Sequence, residues 1–392
     1  MNILFSANYY PTENSPLQAF IGVICRELVC QGHQVTVVAP QSLTTCIKNK
    51  IPIVNTHYLD QFYYNGQLKW VDVYRPFVIT FGQGKFAKIT ALIKRFVVSR
   101  KARLLKKNFD VVYCHFWHSA SNMIPYIEQT RIPLIVATGE DEIRLSDLVG
   151  PKTIHRLNKN TKGVICVSTK NKQESIQKIH IDPELCIVLP NAYNDADFYP
   201  MDKMEVRKQL NFPIDAFIIS FCGRFSTRKG MDRLCAAISE IDDSTINSIF
   251  IGMPSEGSLM YPGCEGVLFS GKLPHDEICK YLNCSDVFVL PSLAEGCSNS
   301  IVEAMACGLP IISSDLPFNH DILDKTNAIL VDPLCVDSIK EAIIRIRLDR
   351  KLRERLSNGS LSKAKDMTIK VRVSKIINFI SEKIDLEETT HN

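Results

Sequence analysis

The chain has 392 residues, 45% of them hydrophobic and 22% charged, which is the composition of a folded globular protein and excludes a disordered chain, a collagen-like chain or an extended coiled coil. At roughly 150 residues per domain, that length implies two domains. Forty-six basic residues against 42 acidic ones leave a net charge of +4, too small a surplus to point to nucleic acid as a partner.

Met1 to Ala7 lack the positive region and long apolar run of a signal peptide, and no later stretch approaches the roughly 20 apolar residues of a membrane span, so a soluble, cytoplasmic protein is expected. The 14 cysteines are scattered without Cys-x-x-Cys pairs or zinc-type Cys/His spacing, so they read as reduced core residues. Ile3–Ser6 is a short apolar strand, Phe20–Val29 carries apolar residues at helical spacing up to Gly32, and Val35–Ala39 is the next strand. Weaker strands are predicted near Ile51–Val54 and Val71–Tyr74, then a long helical stretch. Strands follow at Val111–Cys114, Leu134–Ala137 and Val164–Val167, whose Val and Ile runs fit strands buried on both faces.

The pattern restarts with a strand at Phe217–Cys222, a glycine-bearing loop, a helix from about Met231, and strands at Ile249–Ile251, Val267–Phe269, Val287–Leu290 and Pro310–Ser313. The expected fold is α/β, two Rossmann-like doubly wound domains. The turn-rich passage Leu189–Asn194 puts the hinge near residue 190, giving domains over 1–190 and 191–366. Residues 367–392 are read as an amphipathic helix, Val371–Ile384, and a frayed polar tail.

Residues 291–315, PSLAEGCSNSIVEAMACGLPIISSD, put Glu295 in a loop after a strand and Glu303 in the first turns of a helix that opens near Ser298–Ser300. A helix start at the end of parallel strands offers unpaired backbone N–H groups and a positive dipole end, a seat for phosphate. Glu303 has two readings, a ligand contact or the partner of Ser300 in a capping box, and Glu295 is either functional or a solvated loop residue. In FCGRFSTRKG, residues 221–230, a strand delivers Gly223, Arg224, Arg228 and Lys229 into a loop before a helix. Cations there neutralise a diphosphate or simply decorate a solvated turn, and the residue order of a Walker loop is absent.

With these two segments, the hinge Pro190-Asn191 and Asn327-Ala-Ile-Leu-Val-Asp-Pro333, the chain resembles over nearly its whole length the retaining GT-B glycosyltransferases of family four. That nucleotide-sugar-dependent group builds bacterial polysaccharides and glycolipids. The resemblance implies two domains facing across a cleft, the acceptor held by 1–190 and the nucleoside diphosphate sugar by 191–366, with the C-terminal helix returning to the N-terminal domain. It implies that Arg224 and Lys229, with Gly223 in the same loop, hold the donor diphosphate, that Glu303 bonds the ribose hydroxyls, and that Glu295 contacts the donor sugar. Backbone N–H groups of Cys297, Ser298, Asn299 and Ser300 approach sugar and phosphate, and Lys272 and Leu273 line the nucleobase pocket. No cofactor or bound metal is implied, because two cations and a helix N-terminus offset charge on the departing diphosphate.

The N-terminal half departs from the family pattern. The first loop, Asn14–Phe20, lacks the usual glycine pair, and the place of the catalytic histidine reads Val136-Ala-Thr-Gly-Glu140-Asp-Glu-Ile143. Glu140 is the ungapped replacement, and a small shift nominates Thr138 or Asp141 instead. His115 and His118 fall at the acceptor-side loop, where an imidazole orients a hydroxyl or phosphate or, alternatively, belongs to a structural aromatic cluster. Between Lys85 and Lys107 stand nine basic residues and no acidic one, interleaved with Phe86, Ile89, Leu92, Ile93, Phe96 and Val97. Such a helix lies on the anionic inner face of the cell membrane or packs its apolar stripe on the sheet. The expected activity is that of a hexosyltransferase that extends a growing glycan or lipid-linked acceptor in cell-surface polysaccharide biosynthesis. The alternatives are a nucleotide-sugar epimerase of the same fold and a catalytically silent donor-binding partner.

Overall fold

A computed structural model describes residues 1–12, 19–48, 50, 52–81, 86–255 and 257–390, the last five without their side chains. The chain divides into two compact units, one formed by 1–189 with the C-terminal helix from Ile369, the other by Pro190–Thr368. The expected first-loop departure at residues 14–18, and Lys85, lie outside the described residues.

In the first unit an eight-stranded sheet runs in the order Cys186–Val188, Thr161–Cys166, Leu134–Thr138, Val111–His115, Asn2–Ser6, Gln34–Val38, Gln67–Tyr74, His57–Tyr64. All neighbours are parallel except the last pair, an antiparallel hairpin. Ile3, Leu4, Phe5, Val111, Val112 and Tyr113 are buried on both sheet faces, which is why those strands are uninterrupted apolar runs. The hairpin turns at Asn65-Gly66, with φ of 49° and 74°, the double left-handed turn whose twist suits two strands. This hairpin replaces the expected strand near Ile51–Val54: residues 52–54 are not in a strand, and Ile51 is outside the described residues. The helix Ile369–Thr390 belongs to this unit and continues through the stretch expected to be a frayed tail, with 391–392 outside the described residues. It is seated by Arg372, which donates to the Leu189 carbonyl at 2.9 Å, and by Phe379, which lies where any side chain at Gly163 would stand, 2.7 Å from a Cβ there.

In the second unit six strands, all parallel, run Val267–Gly271, Ile246–Ile251, Phe217–Cys222, Val287–Leu290, Ile311–Ser314, Ala328–Val331. Numbered along the chain this is 3-2-1-4-5-6, so the direction of growth reverses between the first and fourth strands, and the carboxyl ends of strands at such a reversal are where sheets of this kind take ligand. A buried ion pair clamps those two strands together. Asp286, just before the fourth strand, accepts from Arg207 at 2.7 Å and from the backbone N–H of Ile218 in the first strand at 2.9 Å. The first unit has the same reversal, between Asn2–Ser6 and Val111–His115.

Candidate active site

The loops that follow the first and fourth strands of the second unit are tied to each other. Leu293 N–H donates to the Arg228 carbonyl at 2.8 Å and Arg228 Nη1 to the Ala294 carbonyl at 2.6 Å. Lys229 Nζ bonds Glu295 Oε1, which also accepts from Ser292 Oγ at 2.6 Å, and Arg228 Nη1 stands 3.9 Å from Oε2. Glu295 is buried, so it is not the solvated loop residue of the alternative reading. Ser226 shapes the cationic turn by accepting from Lys229 N–H at 3.4 Å, and Arg224 stands exposed on the same loop.

Three neighbouring strands end in a row of glycines. Gly223 N–H donates to the Ile251 carbonyl at 2.9 Å and Gly252 N–H to that of Gly271 at 2.8 Å. Without side chains there, ligand can reach the backbone. Beyond this row Lys272 is exposed, and Leu273 packs against the hydrophobic cluster that contains Ile218 and Ile249.

The helix after the fourth strand, Asn299–Ala306, begins at Ser298, and the Ser298 side chain does not cap it. Ser298 Oγ instead lies 3.1 Å from Ser300 Oγ. The Ser300–Glu303 capping box is therefore not formed: Ser300 is already inside the helix, and Glu303 faces His275, whose Nε2 is 3.6 Å from Oε1. Asn191 holds the turn from the other side, donating from Nδ2 to the Cys297 carbonyl at 2.9 Å and to Asn299 Oδ1 at 2.7 Å. Cys297 and Ser298 are buried in that turn, with Asn299 and Ser300 partly exposed.

His275 was not singled out by the sequence, because its meeting with Glu303 is tertiary and leaves no spacing signal. Its ring sits edge-on to Phe198, with centroids 5.2 Å apart. Glu303 raises the imidazole above its ordinary pKa, with burial opposing. A raised folded-state value means that the contact's stabilisation is complete below the unfolded histidine pKa and is lost as pH climbs through the raised one. The melting temperatures of wild type and His275→Ala should therefore differ in acid and converge in alkali. A gap independent of pH would mean that only the packing on Phe198 matters.

In the first unit the same place is filled. The helix after the strand Val111–His115, Trp117–Thr130, is met at its start by Glu140. Oε1 accepts from Trp117 N–H at 3.1 Å, and Oε2 accepts from Thr138 Oγ1 at 2.5 Å and Gly139 N–H at 3.0 Å. Burial raises the Glu140 carboxyl pKa, and the Thr138 hydroxyl and backbone amides pull it down. Both oxygens serve the fold here, so Glu140 occupies the helix N-terminus that an anionic ligand would use. Asp141 and Thr138 flank it, Asp141 exposed and Thr138 buried.

His115 lies at the strand reversal, in an aromatic cluster. Its ring stacks near Phe5 at 6.4 Å, tilts on Phe20 at 5.1 Å and meets the edge of Phe116 at 4.4 Å. Burial, with the Arg372 charge adding, pushes its pKa down to about 3, so it is a neutral imidazole at ordinary pH. Nδ1 has no hydrogen-bond partner among the described residues. Phe116 carries a φ of 73° at this point, a strained conformation for a bulky residue, held by its N–H bond to the Ala137 carbonyl at 2.7 Å. His118 is also held neutral, at about 4, by burial and the charges of Lys94 and Arg95.

Two doubly wound units, the second with a glycine edge, a cationic loop and a helix start that Ser298 does not cap at its strand reversal, have the architecture of the GT-B fold class. Comparisons agree. The family model described as Glycosyltransferase Family 4 matches residues 18–197, and that described as Glycosyl transferases group 1 matches residues 216–349. TuaC of Bacillus subtilis (strain 168), assigned as a teichuronic acid biosynthesis glycosyltransferase, is 26% identical over 362 residues, spanning 88% of this chain and 89% of that one. An Escherichia coli UDP-Gal:alpha-D-GlcNAc-diphosphoundecaprenol alpha-1,3-galactosyltransferase is 27% identical over 242 residues, 55% of this chain and 62% of its own. Among solved structures, sucrose-phosphate synthase from Thermosynechococcus elongatus aligns with a TM-score of 0.75 at 17% identity, covering 97% of this chain and 98% of that one. HepE from Anabaena, in complex with UDP, aligns with a TM-score of 0.72 at 17% identity, covering 97% and 100%. The chain belongs to the family-four GT-B glycosyltransferases.

Proposed function

We propose that this enzyme moves a hexosyl unit from a nucleoside diphosphate sugar to a growing glycan or lipid-linked acceptor in cell-surface polysaccharide biosynthesis, retaining the anomeric configuration. The observation that carries the donor assignment is the contrast between equivalent helices: Trp117–Thr130 has its N-terminus filled by Glu140, whereas Asn299–Ala306 receives no cap hydrogen bond from the side chain of its N-cap Ser298 and follows the loop in which Glu295 bonds Lys229. Diphosphate therefore belongs to the second unit. The UDP held by HepE supports the same reading.

In this mechanism the diphosphate sits against Arg224, Lys229 and the backbone N–H groups of Asn299 and Ser300, Glu303 takes the ribose hydroxyls, and Glu295 faces the sugar. The acceptor hydroxyl oxygen bonds to the anomeric carbon as the bond to phosphate oxygen breaks. The electron pair goes to the diphosphate, and the hydroxyl proton passes to a phosphate oxygen on the same face. Charge that develops on the leaving group is met by fixed cations and dipoles, so no divalent ion is required. The test is to incubate the enzyme with UDP-sugars and an extract of lipid-linked glycans in excess chelator and to determine the product's anomeric configuration by NMR. An inverted linkage, or dependence on added metal, would end this reading. Release of an epimerised free sugar would favour the epimerase.

The first unit adds a reading of where the enzyme works. Among the described residues no helix is long and apolar enough to cross a membrane. The helix Ala87–Leu104 buries Ala91, Val98 and Ala102 but turns Phe86, Ile89, Leu92 and Phe96 outward, the last two 60% and 67% exposed, with Lys88 and Arg100 also exposed. An outward apolar stripe with basic flanks fits an anionic bilayer surface, where each cation contributes about 1 kcal/mol. Phe96→Glu should release the protein from phosphatidylserine vesicles in sedimentation at low salt. Equal pelleting of wild type and variant would refute a membrane role for the stripe.

A further inference from the structure

In the first unit, the strands Gln34–Val38 and Gln67–Tyr74 pair only from Thr36/Asp72 to Val38/Tyr74. The hairpin that contains the second of them runs on to Tyr64/Gln67. The sheet is split at its amino side, and the open edges of Gln34–Val35 and Leu68–Trp70 line a cavity of about 570 Å³. A second cavity of about 300 Å³ shares Gln34, Thr36 and Lys107 with the first and continues past Asn2 and Asn108. Together they form one extended groove, away from the carboxyl ends of the strands where His115 and Glu140 stand.

The lining combines one exposed aromatic face with a fixed set of polar groups. Trp70 is 52% exposed, with Leu59 and Leu68 beside it. Asp72 is held on both oxygens, by His57 Nε2 at 2.7 Å and Lys107 Nζ at 2.5 Å, and Lys107 also donates to Thr36 Oγ1 at 3.3 Å. The His57 ring is stacked flat on Tyr74, centroids 4.3 Å apart. Nothing in the donor site uses any of these groups. Their orientation is set before a ligand arrives, so little ordering cost remains.

We propose that this groove is a second saccharide site, which holds the already built portion of the glycan. A sugar ring has an apolar C–H face for the indole of Trp70 and a rim of hydroxyls for His57, Lys107, Thr36 and the open strand edges. A chain of such rings matches a groove built from two joined cavities, each within or near the size range of small-ligand sites. The proposal rests on the reading of the enzyme as a builder of extended glycans.

The test uses the full-length protein, fluorescently labelled, on a printed array of bacterial surface oligosaccharides, with wild type, Trp70→Ala, His57→Ala and Glu303→Ala compared and UDP binding measured for all four by calorimetry. Wild type should bind at least one oligosaccharide, both groove variants about tenfold more weakly, and Glu303→Ala as well as wild type. UDP should be bound normally by both groove variants, which shows the second unit intact, and their thermal unfolding and near-UV circular dichroism should match wild type, which shows the first unit folded. The chain has two tryptophans, Trp117 being buried, so titration of an array hit should quench emission from Trp70. No array binding by wild type, or binding that neither groove substitution weakens, overturns the proposal. Failure of wild type to bind UDP would count against the donor reading instead and leaves the array result to decide the groove.

Discussion

Replacing Lys229 by alanine lowers turnover of the nucleotide sugar by about a hundred- to a thousandfold, the range found when one fixed donor is removed from a developing oxyanion. Lys229 is suited to that task because two loops fix it at once, Ser226 holding its backbone N–H at the turn and Glu295 holding its ammonium from across. The same pairing complicates the experiment, since Lys229→Ala also leaves Glu295 buried with Ser292 and the more distant Arg228. Loss of one partner of a buried pair costs up to about 3–5 kcal/mol, less where another cation is near. A second substitution separates the two effects. Lys229→Ala combined with Glu295→Gln should regain much of the lost stability in urea denaturation, because no unpaired charge remains, and should regain no turnover. Recovery of turnover in the double variant would mean that Lys229 serves only to neutralise Glu295, and the leaving-group role would be lost.

The parts of this site were legible in the sequence one by one, whereas their meeting was not. Each loop could be placed after its strand because Phe217–Cys222 and Val287–Leu290 are short apolar runs bounded by polar turns, the signature of strands covered on both faces. That Lys229 touches Glu295, 66 residues away, follows only from the 3-2-1-4-5-6 order, which sets the first and fourth strands side by side. The Ser300–Glu303 spacing suggested a capping box, but the helix starts two residues too early for it. Glu140 was nominated as a replacement for a catalytic histidine by alignment of position alone. The fold spends its carboxylate on the start of a helix 23 residues earlier in the chain, a job that no local pattern announces. The edge hairpin was half seen, since its outer strand alternates exposed and partly buried residues and shows no apolar run; the Asn65-Gly66 turn was the available signal.

The glycine edge yields the largest stability effect. Gly252 has a φ of 149°, and a Cβ there would lie 1.9 Å from the Gly223 carbonyl oxygen and 3.1 Å from the Phe225 ring. Gly252→Ala therefore combines backbone strain of about 1–3 kcal/mol with a collision that no rotamer relieves, because the atom struck is backbone. The displaced carbonyl belongs to the loop that carries Arg224 and Lys229, so destabilisation and loss of donor affinity should appear together: a loss of about 4 kcal/mol or more in urea denaturation, and UDP binding at least tenfold weaker by calorimetry. Gly257 supplies the internal comparison. Its φ of 80° is also left-handed, but nothing lies within 4 Å of a Cβ placed on it, so Gly257→Ala bears the conformational strain alone. That variant should lose only about 1 kcal/mol and bind UDP normally. If the two alanine variants behave alike, the close approach of the strand ends is not what shapes the phosphate loop, and the row Gly223, Gly252, Gly271 would have to be explained by backbone conformation instead.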